Sequence, residues 1–301
     1  MVDPARATRR WIPAAVVSAL LLSGCVSITV GAIAPSPEPT TTPSPASPSP
    51  SPSLGATPDP ETCTTRLSTY RLQVGSTGSV SREDERVVRV ALQLARAHFD
   101  VRVPECEPGE VVATVLDRAN ERFAAGTFVS DAPDFEIDVY AGGPTWERTA
   151  RSQVQLTMLH EWYHVLQFSF LKCDPPRCQV QVRPIPEWLI EGAAEYAAAQ
   201  AAQDERLIFY SFIRRFELAR AAEVTTPLQR IRQANTGAEY GLSFAAVEML
   251  VRGSGPGVLE GFWEEAGSTG RWDRAFSDAF GTSPARFHRA FEAYRARGFR
   301  D

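Results

Sequence analysis

Met158-Leu159-His160-Glu161-Trp162-Tyr163-His164-Val165-Leu166 is the stretch on which the fold reading turns. His160 and His164 are four residues apart, so on a helix their imidazoles lie one above the other and can reach one metal ion. Glu161, between them, would face a water held by that ion. The flanks Leu156, Leu159, Trp162, Tyr163, Leu166 and Phe168 are apolar nearly all round the helix. A helix with no polar face is buried, so this one must have neighbours on every side.

Upstream, Ser81-Arg82-Glu83-Asp84 has the form of a helix start, a serine cap followed by an acidic first turn. Val87, Val88, Val90, Ala91, Leu94, Ala95 and Phe99 give that helix its apolar face. His98 rides on it with no partner at ligand spacing, which points to a surface or half-buried residue. Glu110 to Leu116 reads as a strand, Asp117 to Ala125 as a short helix and Thr127 to Ser130 as a second strand. Phe135-Glu136-Ile137-Asp138-Val139-Tyr140 alternates apolar and polar, the pattern of a half-buried strand, and leads toward the histidine helix.

Downstream, Pro186 suits the first turn of a helix running to about Gln203, and Glu187, Glu191 and Glu195 fall four apart on one of its faces. Further helices are predicted over Arg206 to Arg220, Ser243 to Arg252, Pro256 to Ala266, Trp272 to Phe280 and Pro284 to Arg297. His288, in the last of these, reads as a solvated or packing residue. A short sheet followed by helices predicts an α+β protein. Its expected parts are a small mixed N-terminal lobe, the metal helix at the junction and an all-helical C-terminal lobe.

The amino terminus reads differently. Arg6, Arg9 and Arg10 precede an apolar run from Trp11 to Leu22 that is too short to span a bilayer and has the form of a secretory signal. The run ends in Leu22-Ser23-Gly24-Cys25, which resembles the lipobox of bacterial lipoproteins. The resemblance implies a signal peptide over 1–24 and a lipidated Cys25 at the start of the mature chain. It places the protein on the extracytoplasmic face of the cell membrane. Residues 25–61 are expected to form a disordered stalk, because Pro35 to Pro60 is almost entirely Pro, Ser and Thr and has nothing to bury. Fully extended at about 3.1 Å per residue, that stretch spans roughly 80 Å. Residues 62–301 are long enough for one sizeable domain.

The chain carries five cysteines. Setting Cys25 aside leaves Cys63, Cys106, Cys173 and Cys178, an even number in an exported chain, which predicts two disulfides. The favoured pairs are Cys173 with Cys178 across a short loop, and Cys63 with Cys106. The formal net charge of −5 becomes −7 once residues 1–24, with three Arg and one Asp, are removed. No basic run interleaved with aromatics occurs in the domain, so nucleic acid is excluded as a partner.

A catalytic zinc needs three protein donors and an open position. The extended His-Glu-x-x-His-x-x-Gly-x-x-His form is ruled out, because Gln167 and Phe170 stand where glycine and the third histidine would be. What does follow is Trp188-Leu189-Ile190-Glu191-Gly192-Ala193-Ala194-Glu195-Tyr196. With the histidine motif, this resembles the gluzincin metallopeptidases, and among them the peptidase-MA-like proteins. Tyr240-Gly241-Leu242-Ser243-Phe244-Ala245-Ala246 and Ala275-Phe276-Ser277-Asp278-Ala279-Phe280-Gly281 extend the likeness, which covers about residues 110 to 295.

The resemblance implies one Zn2+ held by His160, His164 and Glu191, with Glu161 as general base. It gives Glu195 the part of orienting a ligand histidine and, by analogy, Tyr240 that of oxyanion donor. The substrate would be a peptide or protein. An edge strand just before the metal helix, here Phe135 to Tyr140, would hold the substrate backbone by strand addition; the alternative is an internal strand with no free edge. Gly192 agrees with the assignment of Glu191, since it removes a side chain where two helices must approach to share one ion. Glu187 is the rival third donor, although its place in the first helical turn already explains an acid there. Two other readings share the same residues: a scaffolding lipoprotein without turnover, and an amidase acting on cell-wall peptides.

Inhibiting lipoprotein signal peptidase in producing cells should leave the uncleaved precursor to accumulate. An unchanged precursor size would remove the lipobox assignment.

Overall fold

The computed structural model describes residues 67–104, 109–118, 125–129, 134–142, 144–171, 185–231, 234, 236–255 and 257–300. The leader, the stalk and all five cysteines lie outside these residues, as do both expected disulfides. The fold is α+β, with a small sheet in the N-terminal part and a mostly helical C-terminal part.

Four strands make the main sheet: β2 (Arg71–Ser76), β4 (Glu110–Leu116), β5 (Ala125–Val129) and β6 (Phe135–Tyr140). Their order is β2-β4-β6-β5, parallel except for β5, which runs antiparallel to β6. The alternation seen in the sequence sets the register. Val111 pairs with Phe135, Ala113 with Ile137 and Val115 with Val139, and all six are buried on one face. Strands β1 (Leu67–Thr69) and β3 (Arg102–Pro104) form a separate antiparallel pair. Helix α1 (Arg82–His98) crosses from β2 toward β4, and the Ser81 side chain accepts the Asp84 N–H at its start, as expected from the cap.

The strand at Phe135 to Tyr140 is not an edge. It is bonded to β4 on one side and β5 on the other, which leaves its backbone nothing to offer a substrate. The outer strand on that side is β5, and β5 is the strand that packs on the metal helix. The short helix α2 (Pro144–Glu147) also intervenes before that helix. Of the helix expected over Asp117 to Ala125, residues 119–124 lie outside the described residues and Ala125 belongs to β5.

Helix α3 (Arg151–Leu171) carries the histidine motif and is buried continuously from Met158 to Phe168. It is enclosed by α1, β5, α4 (Glu187–Asp204) and α7 (Val258–Thr269), so no side of it faces water along that run. Helix α4 packs in turn on α5 (Tyr210–Ala221) and α6 (Gly237–Arg252). Helices α8 (Trp272–Phe280) and α9 (Pro284–Ala296) close the chain around an aromatic cluster of Phe276, Phe287 and Phe291. No helix of the described residues is long and apolar enough to cross a membrane.

Two boundaries differ from expectation for physical reasons. Helix α5 begins at Tyr210, not Arg206, because Arg206 takes a left-handed φ of 57° that no helix continues through. Helix α6 begins at Gly237, not Ser243. Its start is a full capping box, in which Thr236 and Glu239 satisfy each other's backbone N–H groups. Gly237 and Gly241 are where α5 comes close: a Cβ on Gly237 would collide with the Arg220 guanidinium, and one on Gly241 would press on the Glu217 carbonyl.

Gly192 performs the service expected of it against a different neighbour. A Cβ there would overlap the carbonyl oxygen of Ser243 on α6, so the close approach is between α4 and α6 rather than between the two ligand helices. Gly192→Ala should therefore destabilise the protein by about 1–3 kcal/mol through overpacking. Urea denaturation measures the shift, and a midpoint equal to wild type would show that the helices can part without cost.

Candidate metal centre

Helix α3 and helix α4 meet at three side chains. His160 and His164 project from α3, one turn apart, and Glu191 projects from α4. Glu191 Oε2 lies 3.3 Å from His160 Nε2 and 3.4 Å from His164 Nε2, and the two ring nitrogens are 3.0 Å apart. A tetrahedral ion with bonds of about 2.0–2.1 Å holds its donors about 3.3 Å from one another, so the triangle has the size of three such vertices. The described residues contain one group of His, Cys, Asp and Glu side chains able to hold a metal ion, and it is this one. Glu191 Oε2 is buried and accepts no hydrogen bond of proper geometry, an orphaned oxygen that a cation would satisfy.

Burial shapes the electrostatics. Desolvation pushes Glu191 up, yet the charges and contacts of His164 and His160 outweigh it and hold the carboxyl down at about 2. For His160, burial favours the neutral ring, but contact with Glu191 and the charges of Glu195 and Glu161 raise it to about 9. The carboxylate is thus kept ionised, as a metal ligand must be.

Glu161 is fully buried on the same helix. The hydroxyl of Thr127, on β5, stands 2.8 Å from Glu161 Oε2 and 3.0 Å from the Glu161 backbone oxygen, where it can donate. This contact between the outer strand and the motif glutamate has no sequence signal beyond a threonine in a strand.

Glu195 lies one turn beyond Glu191 and faces His160 Nδ1, but at 3.7 Å, beyond a direct hydrogen bond. Both atoms are buried without a hydrogen-bond partner. The partner that does bond a ligand ring is Gln167, whose Oε1 is 2.7 Å from His164 Nδ1. Gln167 was legible only as the residue that breaks the extended histidine motif. Tyr240, in the first turn of α6, is fully buried and sets its ring edge-on to His160, the centroids 6.3 Å apart.

The rival donor Glu187 is not part of the cluster. Its Oε1 accepts the Ala234 N–H at 3.3 Å, and its carboxyl is raised to about 7, first by burial and then by the Glu191 charge. His98 bonds Glu205 at 3.1 Å across the molecule, and His288 packs edge-on against Trp188, so neither belongs to the site.

Behind Glu195 stands a second buried acid, Glu217 on α5, within 3.2 Å of Arg220. Fold and centre together define an α+β protein whose core carries a two-histidine, one-glutamate group able to bind a metal. The sequence matches no protein-family model, and no curated protein aligns with it as a relative.

Glu217 is pushed up to about 8 by burial and then by the Glu195 charge, against the pull of Arg220. The unfolded carboxyl ionises near its ordinary 4.5 while the folded one keeps its proton. Between those values the unfolded state binds fewer protons, so stability falls as pH rises through the window. Glu217→Gln cannot ionise and should flatten that decline in denaturation curves taken at about pH 5 and about pH 8; an identical slope would refute the assignment.

Proposed function

We propose that this protein is a zinc metallopeptidase that hydrolyses peptide bonds of peptide or protein substrates. The observation that carries the proposal is the orphaned Glu191 oxygen placed 3.3 and 3.4 Å from two imidazole nitrogens, with Glu161 on the same helix between them. Two nitrogens and one carboxylate form a donor set suited to zinc with a fourth position for water. Zinc bound there would supply Lewis acidity, bringing the ionisation of a water toward pH 7 and polarising a carbonyl oxygen.

The chain's own groups perform the rest. The Glu161 carboxylate accepts the proton of the attacking water and passes it to the leaving amine, while Thr127 at 2.8 Å holds Oε2 in place. Tyr240, packed on His160, is the proposed donor to the developing oxyanion. Glu195 faces His160 without a direct bond, and burial pushes its own carboxyl up. With the lipobox-like Leu22-Ser23-Gly24-Cys25 at its start, the enzyme would act outside the cytoplasm, tethered to the membrane through Cys25.

Three variants test the reading. Glu161→Gln should keep zinc, by elemental analysis, and lose chelator-sensitive cleavage of a mixed peptide library by roughly 10²–10⁴-fold. Tyr240→Phe should lower turnover with the metal content unchanged. Glu191→Ala should lose both metal and cleavage. A wild-type protein that holds zinc but gives no chelator-sensitive cleavage of peptides or cell-wall peptides would refute the hydrolase and leave the scaffolding role.

A further inference from the structure

We infer that Gln167 is a positioning residue that fixes both the proton of His164 and the distance between the two ligand helices; the inference rests on the metal-site reading above. Gln167 is fully buried one turn after His164. Its amide makes two bonds: Oε1 meets His164 Nδ1 at 2.7 Å, and Nε2 donates to the backbone oxygen of Ile190 at 2.9 Å.

The second bond determines the first. A carbonyl oxygen only accepts, so the amide atom facing Ile190 must be the NH2 group. That turns Oε1 toward the imidazole, and an accepting oxygen there requires the proton of His164 to sit on Nδ1. The lone pair of a neutral His164 is then left on Nε2, the atom that points at His160 Nε2 and Glu191 Oε2. A backbone carbonyl 23 residues away thus sets which nitrogen of a ligand ring is free to bind metal.

Ile190 is also the residue immediately before Glu191. The amide therefore spans from one ligand on α3 to the peptide group next to the third ligand on α4, and sliding either helix breaks one of its bonds. The two histidines are supported by different chemistry. His160 has a carboxylate nearby at 3.7 Å, whereas His164 has a neutral amide in firm contact. A neutral acceptor orients the ring without adding a further negative charge beside the buried Glu191 carboxylate.

The test uses the full chain labelled with 15N-histidine. In the metal-free wild type, at a pH high enough for the ring to be neutral, NMR should show His164 protonated on Nδ1 with Nε2 bare. Gln167→Met, similar in shape but unable to form either bond, should mix the two tautomers and weaken zinc binding about 10–100-fold in competition with a coloured chelator. Gln167→Glu keeps an acceptor for Nδ1 but loses the donor to Ile190, and should keep the tautomer while binding zinc more weakly than wild type. A His164 ring protonated on Nε2 in the wild type would overturn the inference, and that readout needs no variant. So would a Gln167→Met protein that binds zinc as wild type does. A wild type that binds no zinc at all would instead sink the metallopeptidase reading, while the NMR result still decides the role of Gln167.

Discussion

Everything in this molecule answers to the burial of Glu191 between two imidazoles. A carboxylate taken out of water costs several kcal/mol unless charge and hydrogen bonds offset the loss. Here the compensation comes from His160 and His164 on the facing helix, each within 3.4 Å, and it requires α3 and α4 to hold one relative position. The surrounding architecture follows from that requirement. Helix α6 presses on α4 at Gly192, α5 supplies Glu217 and Arg220 behind Glu195, and β5 reaches the motif glutamate through Thr127.

The helices of the C-terminal half were readable because their signals are local. The Ser283-Pro284 start and the three- and four-residue spacing of apolar groups act within a turn or two, and α8 and α9 fall close to the expected bounds, whereas α5 and α6 begin at Tyr210 and Gly237. The strands at Glu110–Leu116 and Phe135–Tyr140 were readable for the same reason, since each buries every second residue. Strand β2 was not, because Val74 is its one buried side chain and so gives no alternation to detect. Neighbours in a sheet are chosen by nonlocal pairing. This is why the choice between an edge and an internal strand at Phe135 to Tyr140 stayed open until β5 was seen on its far side.

At the centre, spacing located His160 and His164, because a helix turns a four-residue interval into adjacency, whereas Glu191 was singled out by the likeness of the stretch from Trp188 to Tyr196 to a family motif. The supporting groups were hidden for an equally definite reason. Thr127 is 34 residues from Glu161, and Ile190 is 23 from Gln167, so no periodicity within one element connects them. Glu195 was correctly placed on the ligand face, yet its 3.7 Å from His160 makes it an electrostatic neighbour rather than a bonded one. Gly237 and Gly241 are the flat ground on which α5 rests.

The enclosure of α3 has a consequence for how the chain is made. Residues 151–171 leave the ribosome well before α7, which contributes a wall of their pocket, is synthesised. Until α4 and its Glu191 emerge, an all-round greasy segment has only α1 and the early strands to lean on, and α7 comes later still. The enclosure of the cluster is therefore completed only once residues 258–269 have been made and have docked on α3.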